Sequence, residues 1–469
     1  MISIKTLTKN NNQNFNLFTE ETVEKGIKEF PEITDFFKGK KDEFFVKVTE
    51  NKIDFLIGIG KENQLKDTDF YEIAKKFSNE FRDKFKKIPT SILGDFSQNQ
   101  IKEFVTGLFS GTYNYPFDKE HPFWDEDFEL NLKGFENDTL EDLSIRVEAL
   151  CYGQFAAMEW MNKPPNQKTA KQLTFFLAEE SRKLKIKFKQ LNKAECEQEG
   201  MGAYLAVNSA SAQDAAFTVL EYNCGVENSK TIGLVGKCVL FDTGGISIKP
   251  AQNMHYMKSD MGGAAAVFGT LFTVAKLKLP VNLVAVLPIT DNVISNQACL
   301  PGDVVRAGNG KTIEILNTDA EGRLTLADGL AYITKHYQTD ILLDLATLTG
   351  SAVRMFGTTC APYFSNQPEL RAQIEKSAEK SGELVWNLPL WKIWEDDISS
   401  GVADLKNISM KPYGDCIVAA KFLEQFTDNH PAWAHFDIAG MAFGDVIYSK
   451  EKAATAYGVR LLYDFISNF

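Results

Sequence analysis

The sequence has 469 residues, of which 44% are hydrophobic and 24% are charged, a composition typical of globular proteins. This length allows two or more domains with separate cores. The 51 basic and 63 acidic residues leave a formal net charge of -12, which disfavours nucleic acid as a partner.

Cysteine usage and hydropathy exclude further classes. The seven cysteines are scattered, without a Cys-x-x-Cys pair, which indicates reduced thiols rather than a disulfide framework or a thiolate metal site. No apolar run approaches the about 18 residues that a membrane span needs. The N-terminal stretch MISIKTLTKNNNQNF lacks the apolar core of a signal peptide. We therefore expect a cytoplasmic protein with no membrane partner.

Residues 1–140 are predicted to form a smaller N-terminal α/β domain. FFVKV (44–48) and KIDFLIGIG (52–60) are typical of strands joined by a short turn. Asp67 and Thr68 are expected to cap a helix with one buried stripe. That stripe comprises Phe70, Ile73, Ala74, Phe77, Phe81 and Phe85. The basic residues between them are predicted to face solvent rather than nucleic acid, and the aromatic, acidic stretch 111–135 to be a connector.

A connecting helix is predicted within residues 141–166, ending where Pro164 and Pro165 forbid its continuation. Residues 167–469 then alternate helical stretches, such as 260–277, with short apolar runs rich in Val, Ile and Leu. These runs cover residues 231–242, 281–290, 312–317, 340–348 and 434–442. The pattern predicts an α/β domain with a mixed central sheet covered by helices. Ligands usually bind such sheets at the strand ends.

Charged residues gather in three glycine-containing loops of this second domain. They are Lys237, Asp242 and Lys249 in the first loop, Asp260 in the second, and Asp319, Glu321 and Arg323 in the third. Charged side chains rarely enter a core unless they are paired or bind a metal. We expect the three loops to meet at one site.

Each motif also has a simple structural interpretation. Thr318 and Glu321 fit a capping box, Asp260 fits an N-cap, and Lys237 with Asp242 fits an ion pair at a strand edge. A capping box does not explain Gly322, a poor helix former. Nor does it explain Arg323, whose charge opposes the helix dipole.

Charge balance leaves two interpretations of the cluster as a whole. Two divalent cations would neutralise the four carboxylates, and the three basic residues would nearly do so in a salt-bridge network. Buried networks of that size stabilise poorly after desolvation, so we favour a two-metal site that activates a bridging water. Only five histidines occur, which excludes a histidine-rich zinc site. Carboxylates suit manganese or magnesium, and zinc also accepts them.

Five segments carry a resemblance to a known family: VGKCVLFDTGGISIKP, MKSDMGGAAAV, NTDAEGRLTLAD, ATLTG and HFDIAG. In order and spacing they resemble the signature segments of the leucyl (cytosol) aminopeptidase family, from about residue 150 to the C-terminus. The resemblance implies a zinc- or manganese-dependent exopeptidase acting on peptides, usually a homohexamer. Residues 1–140 resemble the family's N-terminal domain only in length and position, and 167–469 would be the catalytic domain.

The resemblance implies a set of metal ligands. Asp242 and Glu321 would bridge the two metals. Asp319 would complete one metal site, and Lys237 with Asp260 the other. A lysine can ligate only as the neutral amine, so the metal must depress its pKa strongly.

The resemblance also implies the catalytic and substrate-binding residues. A metal-bridging hydroxide would attack the peptide, Lys249 would polarise the scissile carbonyl or its oxyanion, and Arg323 would hold a bicarbonate acting as general base. Residues that would align the peptide or line the pocket for its first side chain are Met257, Thr347, Leu348, Gly350 and Ala439. The apolar pocket residues suggest a preference for leucine or methionine, although Met257 also suits plain core packing.

Two departures from the family pattern stand near the site, and rival functions stay open. Cys238 replaces an expected glycine. His255 stands where many relatives have an acid, and it would be either a proton carrier or an inert residue. A dipeptidase, for example one cleaving Cys-Gly, is a close rival to an aminopeptidase. A non-enzymatic hexameric scaffold or DNA-binding regulator is a rival of another class. The intact Lys249, Arg323 and ligand positions favour an enzyme.

Overall fold

A computed structural model of the chain describes residues 3–6, 11–26, 33, 35–116 and 129–469. The chain forms two compact units, residues 1–151 with 447–450 and residues 152–446 with 451–469. The division lies within helix α4, Asn137–Asn162, which contains the helix predicted before Pro164 and Pro165. Residues 117–128 of the predicted connector lie outside the described residues.

The first unit is an α/β unit built on one sheet. Its described strands are β1 Ser3–Thr6, β2 Gln13–Thr19, β3 Phe44–Val48, β4 Ile53–Gly60, β5 Thr90–Leu93 and β6 Glu129–Leu132, in the order β1-β6-β5-β2-β4-β3. Its helices are α1 Val23–Gly26, α2 Asp67–Phe81 and α3 Gln98–Ser110. β3 and β4 pair antiparallel, as the hairpin prediction requires, and the other neighbours pair parallel.

Helix α2 confirms the predicted apolar stripe and corrects the predicted helix ends. All six stripe residues are buried, and the ring of Phe77 packs against those of Phe15 and Phe55 from the sheet. The cap predicted at Asp67 and Thr68 was wrong, because Lys66 is the N-cap and its N–H donates to Asp69 at 2.8 Å. The helix ends at Phe81, and a 3₁₀ turn precedes the last stripe residue.

The second unit holds the remaining elements. Its helices after α4 are α5 Ala170–Leu184, α6 Lys193–Gln198, α7 Gly202–Asn208, α8 Gly262–Leu277, α9 Gly322–His336, α10 Gly350–Phe356, α11 Pro368–Ser381, α12 Asp415–Glu424 and α13 Val459–Ile466. Its strands are β7 Lys187–Leu191, β8 Ala216–Tyr222, β9 Thr231–Gly236, β10 Cys238–Asp242, β11 Asn282–Asn292, β12 Val304–Arg306, β13 Thr312–Glu314, β14 Ile341–Ala346, β15 Ala361–Ser365, β16 Val385–Asn387, β17 Leu405–Lys406, β18 Trp433–Asp437, β19 Phe443–Gly444 and β20 Ala453–Ala454.

The main sheet of this unit is mixed, and helices cover both of its faces. Its order is β16-β15-β18-β14-β9-β11-β8-β7, with β10 paired to β11. The central neighbours β18, β14, β9 and β11 run parallel, whereas β8 pairs antiparallel with β7 and β11. β15 pairs antiparallel with β18 and parallel with β16. Successive β9 residues Val235 and Gly236 face α9 and α8 respectively, as strand alternation requires. The predicted α/β class with a mixed sheet is confirmed.

Two apolar runs fold differently from their simplest interpretation. Residues 231–242 form two strands, β9 and β10, separated at Lys237. Residues 312–317 do not join the main sheet, because β13 pairs with β12 and β17 in a separate three-stranded sheet. The third charged loop therefore follows a strand of this smaller sheet and not a strand of the main sheet. Among the described helices, none has the length and apolar character needed to cross a membrane.

Candidate active site

The charged loops predicted to meet do meet, at the carboxyl ends of the central parallel strands. Lys237 lies in the break between β9 and β10, and Asp242 is the last residue of β10. Asp260 stands just before α8, while Glu321 is the N-cap of α9. One ligand oxygen each from Asp242, Asp319 and Glu321 lies within 4.8 Å of the others.

Lys237 lies at the centre of one half of the cluster. Its Nζ is 2.7 Å from Asp260 Oδ2 and 2.9 Å from Glu321 Oε1, with all three side chains buried. The same nitrogen donates to the carbonyl of Thr347 at 2.9 Å. The hydroxyl of Thr347 donates to the other oxygen of Asp260 at 2.7 Å. Burial alone would lower the pKa of Lys237, but the carboxylates around it outweigh burial and hold the pKa above its usual value.

Lys249 pairs with the other half of the cluster. Its Nζ is 2.7 Å from Asp242 Oδ2 and also contacts Asp319. Here too burial opposes the charge, and Asp242 with Glu321 raises the pKa of Lys249 above its ordinary range. The Lys249 side chain is 20% exposed, so its amine borders open space rather than the core.

The carboxylates are nonetheless under-satisfied. Among the described residues, neither oxygen of Glu321 accepts a hydrogen bond, nor do Asp260 Oδ2 and Asp319 Oδ1. The lysine nitrogens lie within ion-pair distance of some of these atoms but are poorly aligned for hydrogen bonds. Burial, and then the charge of Asp242, raises the pKa of Glu321 to about 8. Burial raises that of Asp260 to about 6.

The contacts weigh against a self-contained salt-bridge network. Lys237 and Lys249 are the two basic partners of the four carboxylates among the described residues, and Arg323 pairs instead with Asp415. With all four carboxylates ionised the cluster would carry two excess negative charges in a buried place, a cost that is reflected in the raised pKa of Glu321. Buried carboxylate oxygens without hydrogen bonds, close together and short of positive charge, fit divalent cations.

Two glycines give the charged side chains their room. A Cβ on Gly322 would lie 2.5 Å from Cε and 2.7 Å from Nζ of Lys237, which explains a poor helix former at the first position of α9. Gly244 has φ +90°, and a Cβ there would lie 2.8 Å from Asp319 Oδ1. Both positions therefore require a residue without a side chain.

The capping interpretations of these motifs were wrong. Glu321 is the N-cap of α9 but caps no N–H with its side chain. The hydroxyl of Thr318 instead donates to Gly244 O at 2.7 Å and accepts from Ser247 N at 2.8 Å. Met261, not Asp260, is the N-cap of α8. Thr318 thus ties the first charged loop to the third.

A cavity of about 370 Å³ opens onto the cluster. Its lining includes Lys237, Asp242, Lys249, Asp260 and Asp319, and all five residues predicted to bind substrate, Met257, Thr347, Leu348, Gly350 and Ala439. Gln252, Asn253 and Met254 also line it, which the sequence did not indicate. Glu321 and Arg323 are not part of the lining.

The sequence did not single out Asn292 and Asp437, because each acts on a residue far away in the chain. Asn292, the last residue of β11, donates to Asp242 Oδ1 at 2.7 Å and to Thr318 O at 3.0 Å. Buried Asp437, at the end of β18, accepts from the backbone N–H of Leu348 at 3.1 Å and of Ala439 at 3.2 Å. Their one sequence signal is a polar residue at the end of an apolar strand.

The two departures from the family pattern take no visible part in the site. His255 is exposed, and its ring lies against that of Tyr256 with centroids 4.0 Å apart and ring planes tilted by 46°. Cys238 is fully buried, and burial raises the pKa of its thiol. The side chain of Cys238 is therefore an inert part of the core.

Comparison with known proteins identifies the family. The model of the cytosol aminopeptidase family, catalytic domain, matches residues 155–463. The chain belongs to the cytosol aminopeptidase family. A probable cytosol aminopeptidase of Chlorobaculum tepidum is 42% identical over 381 residues, 78% of this chain and 74% of that protein. One of Rickettsia canadensis is 37% identical over 443 residues, 90% of this chain and 87% of that protein.

Family membership makes the chain an aminopeptidase, and the matched region contains the whole charged cluster. The family is metal-dependent, and the cluster of Asp242, Asp319 and Glu321 is a candidate acidic metal site in this cytosol aminopeptidase family member. The predicted family and the predicted class of enzyme, an aminopeptidase, are therefore confirmed.

Proposed function

We propose that this chain is a dimetal aminopeptidase that releases apolar N-terminal residues, such as leucine or methionine, from peptides. The convergence of Asp242, Asp319 and Glu321 within 4.8 Å carries the proposal, because among the described residues the cluster of four carboxylates has two lysines as its basic partners. Asp242 and Glu321 would hold two ions in common, with zinc or manganese as the metal. Asp319 would complete one site, and Lys237 with Asp260 the other.

Lys237 can join such a site only by giving up a proton. In the structure its amine is charged and lies between Asp260 and Glu321, which keeps its pKa high. Metal binding would therefore compete with that proton and release it to solvent. The Thr347 carbonyl, 2.9 Å from Nζ, would keep the neutral amine in position.

The metal ions and the side chains of the protein would have different roles in the reaction. Bound divalent ions would lower the pKa of a water toward neutrality and polarise the peptide carbonyl. Lys249 lines the cavity with a charged amine, placed to donate to the oxygen that gains negative charge in the transition state. Arg323 would hold the anion that accepts the proton, for which the family resemblance implies bicarbonate.

The cavity supports a preference for apolar first residues. Met257 and Ala439 line it beside the cluster, and they offer no charge or hydrogen-bonding group to a substrate side chain. The N–H groups of Leu348 and Ala439 both donate to Asp437, which ties together the two loops that would align the peptide. Assembly as a homohexamer stays a prediction of the resemblance, and a cytoplasmic location stays a prediction from the N-terminal sequence and the hydropathy.

The direct test is release of the chromophore from leucine-p-nitroanilide before and after chelation. We expect activity to fall to background in chelator and to return with zinc or manganese, because the carboxylates alone cannot activate water. Full activity in the fully chelated protein would reject the metal mechanism.

A substrate panel separates the proposed activity from its close rival. Leucine- and methionine-initiated peptides of several lengths are expected to be cleaved faster than Cys-Gly, in keeping with the apolar side chains of Met257 and Ala439 in the cavity lining. Rapid cleavage of Cys-Gly with no cleavage of longer leucine peptides would assign the chain as a dipeptidase instead.

A further inference from the structure

Arg323 is a buried cation that needs an anion beside it. Its side chain is only 4% exposed. Nη1 donates to the carbonyl of Asn407 at 2.7 Å, whereas Nε is buried without a hydrogen bond among the described residues. A neutral carbonyl does not balance a buried guanidinium, so an uncompensated charge here would be costly.

Asp415 supplies that anion from within the chain. Its Oδ1 is 3.3 Å from Nη2 of Arg323, and no other carboxylate of the described residues lies within ion-pair distance of this guanidinium. Its Oδ2 accepts from the hydroxyl of Ser351 at 3.2 Å. The Ser351 hydroxyl also lies 3.0 Å from the hydroxyl oxygen of Thr349, a competing acceptor for the same proton, and Thr349 lines the cavity.

The local fold favours a charged carboxylate at this position. Asp415 is the first residue of α12, where the helix dipole stabilises negative charge. Its side chain is 45% exposed, so one side is hydrated while the other faces Arg323. The carboxylate is therefore held at Arg323 by the guanidinium, by Ser351 and by the start of the helix.

We propose that Asp415 is a built-in anion for Arg323 and occupies the place that the family resemblance gives to bicarbonate. The proposal rests on the proposed function for its kinetic consequences. A carboxylate has the same charge as bicarbonate and the same paired acceptor oxygens. Because Asp415 is part of the chain, its concentration at Arg323 does not depend on dissolved carbonate.

The kinetic test compares the parent with Asp415→Ala in carbon-dioxide-free buffer, with and without added bicarbonate. We expect bicarbonate to change the parent's kcat by less than about twofold. Asp415→Ala is expected to lose about 10–100-fold, the usual cost of removing a supporting residue, and to regain activity at millimolar bicarbonate. Glu369→Ala, which removes an exposed acid from the first turn of α11, is the control and should match the parent.

Equal bicarbonate stimulation of parent and variant would overturn the proposal, as would a loss in Asp415→Ala that bicarbonate does not restore. A variant as active as the parent without bicarbonate would overturn it too.

Binding gives a second readout that needs no turnover. Line broadening of ¹³C-bicarbonate is expected with zinc-loaded Asp415→Ala and not with the zinc-loaded parent, because only the variant leaves the place at Arg323 open. Equal broadening by both proteins would overturn the proposal. If the parent lacks aminopeptidase activity, the proposed function fails, yet this comparison still decides whether Asp415 excludes bicarbonate.

Discussion

Glu321→Ala is expected to abolish turnover and metal binding together. Glu321 is buried, and neither of its carboxylate oxygens accepts a hydrogen bond. In the proposed site it is one of two ligands shared by both ions, so its loss weakens both sites at once. We expect kcat to fall by about 10³-fold or more, since water activation is lost. Steady-state kinetics and metal analysis of the same preparation measure the two effects.

Stability separates this loss from simple unfolding. In chelator, removing one of four crowded carboxylates relieves repulsion that offsets the small cavity, so the free energy of unfolding should stay within about 1 kcal/mol of the parent. Glu314→Ala, outside the cluster on β13, is the matched control and should keep its metal. Near-parent turnover by Glu321→Ala would show that the ligand assignment is wrong.

Gly322→Ala is expected to weaken metal binding through a single methyl group. The added Cβ would lie 2.5 Å from Lys237 Cε, so the lysine side chain must shift toward the cavity that it lines. That shift disturbs the contacts of its amine with Asp260, Glu321 and Thr347. We expect metal affinity to fall by about 10–100-fold, as measured by competition with a chromophoric chelator.

The same substitution should not harm the helix that carries it. Alanine is a better helix former than glycine by about 1 kcal/mol, which opposes any loss of stability from the clash. Gly308→Ala is the control, because the nearest atom to a Cβ there is 3.6 Å away. Parent-like metal affinity in Gly322→Ala would mean that Lys237 need not stay where the structure has it.

The sequence predicted much of the fold because the informative patterns are local. The stripe along α2 and the apolar strands β11, β14 and β18 follow from residue spacing and composition alone. The break at Lys237 does not, because its cause is tertiary. The Lys237 N–H donates to Leu345 of β14 at 3.0 Å, while its carbonyl accepts from Ala264 of α8 at 2.9 Å.

The sequence predicted those parts of the candidate site where charged residues did not fit a simple structural interpretation. Gly322 contradicted a capping box, and the structure shows that the side chain of Lys237 occupies the space a Cβ would need. No feature of the sequence singled out Asn292 or Asp415. Each lies far along the chain from its partner, Asp242 or Arg323, and each is an ordinary polar residue at the end of an element. Only the folded chain brings these pairs together.

The number of tightly bound metal ions per chain is the most direct test of whether the clustered carboxylates bind two divalent cations. The purified protein, loaded with zinc or manganese and then dialysed, would be analysed by inductively coupled plasma mass spectrometry beside Glu321→Ala. We expect two ions per parent chain and a loss of both in the variant. An active parent that carries no divalent metal, or a variant with the parent's full metal content, would contradict it.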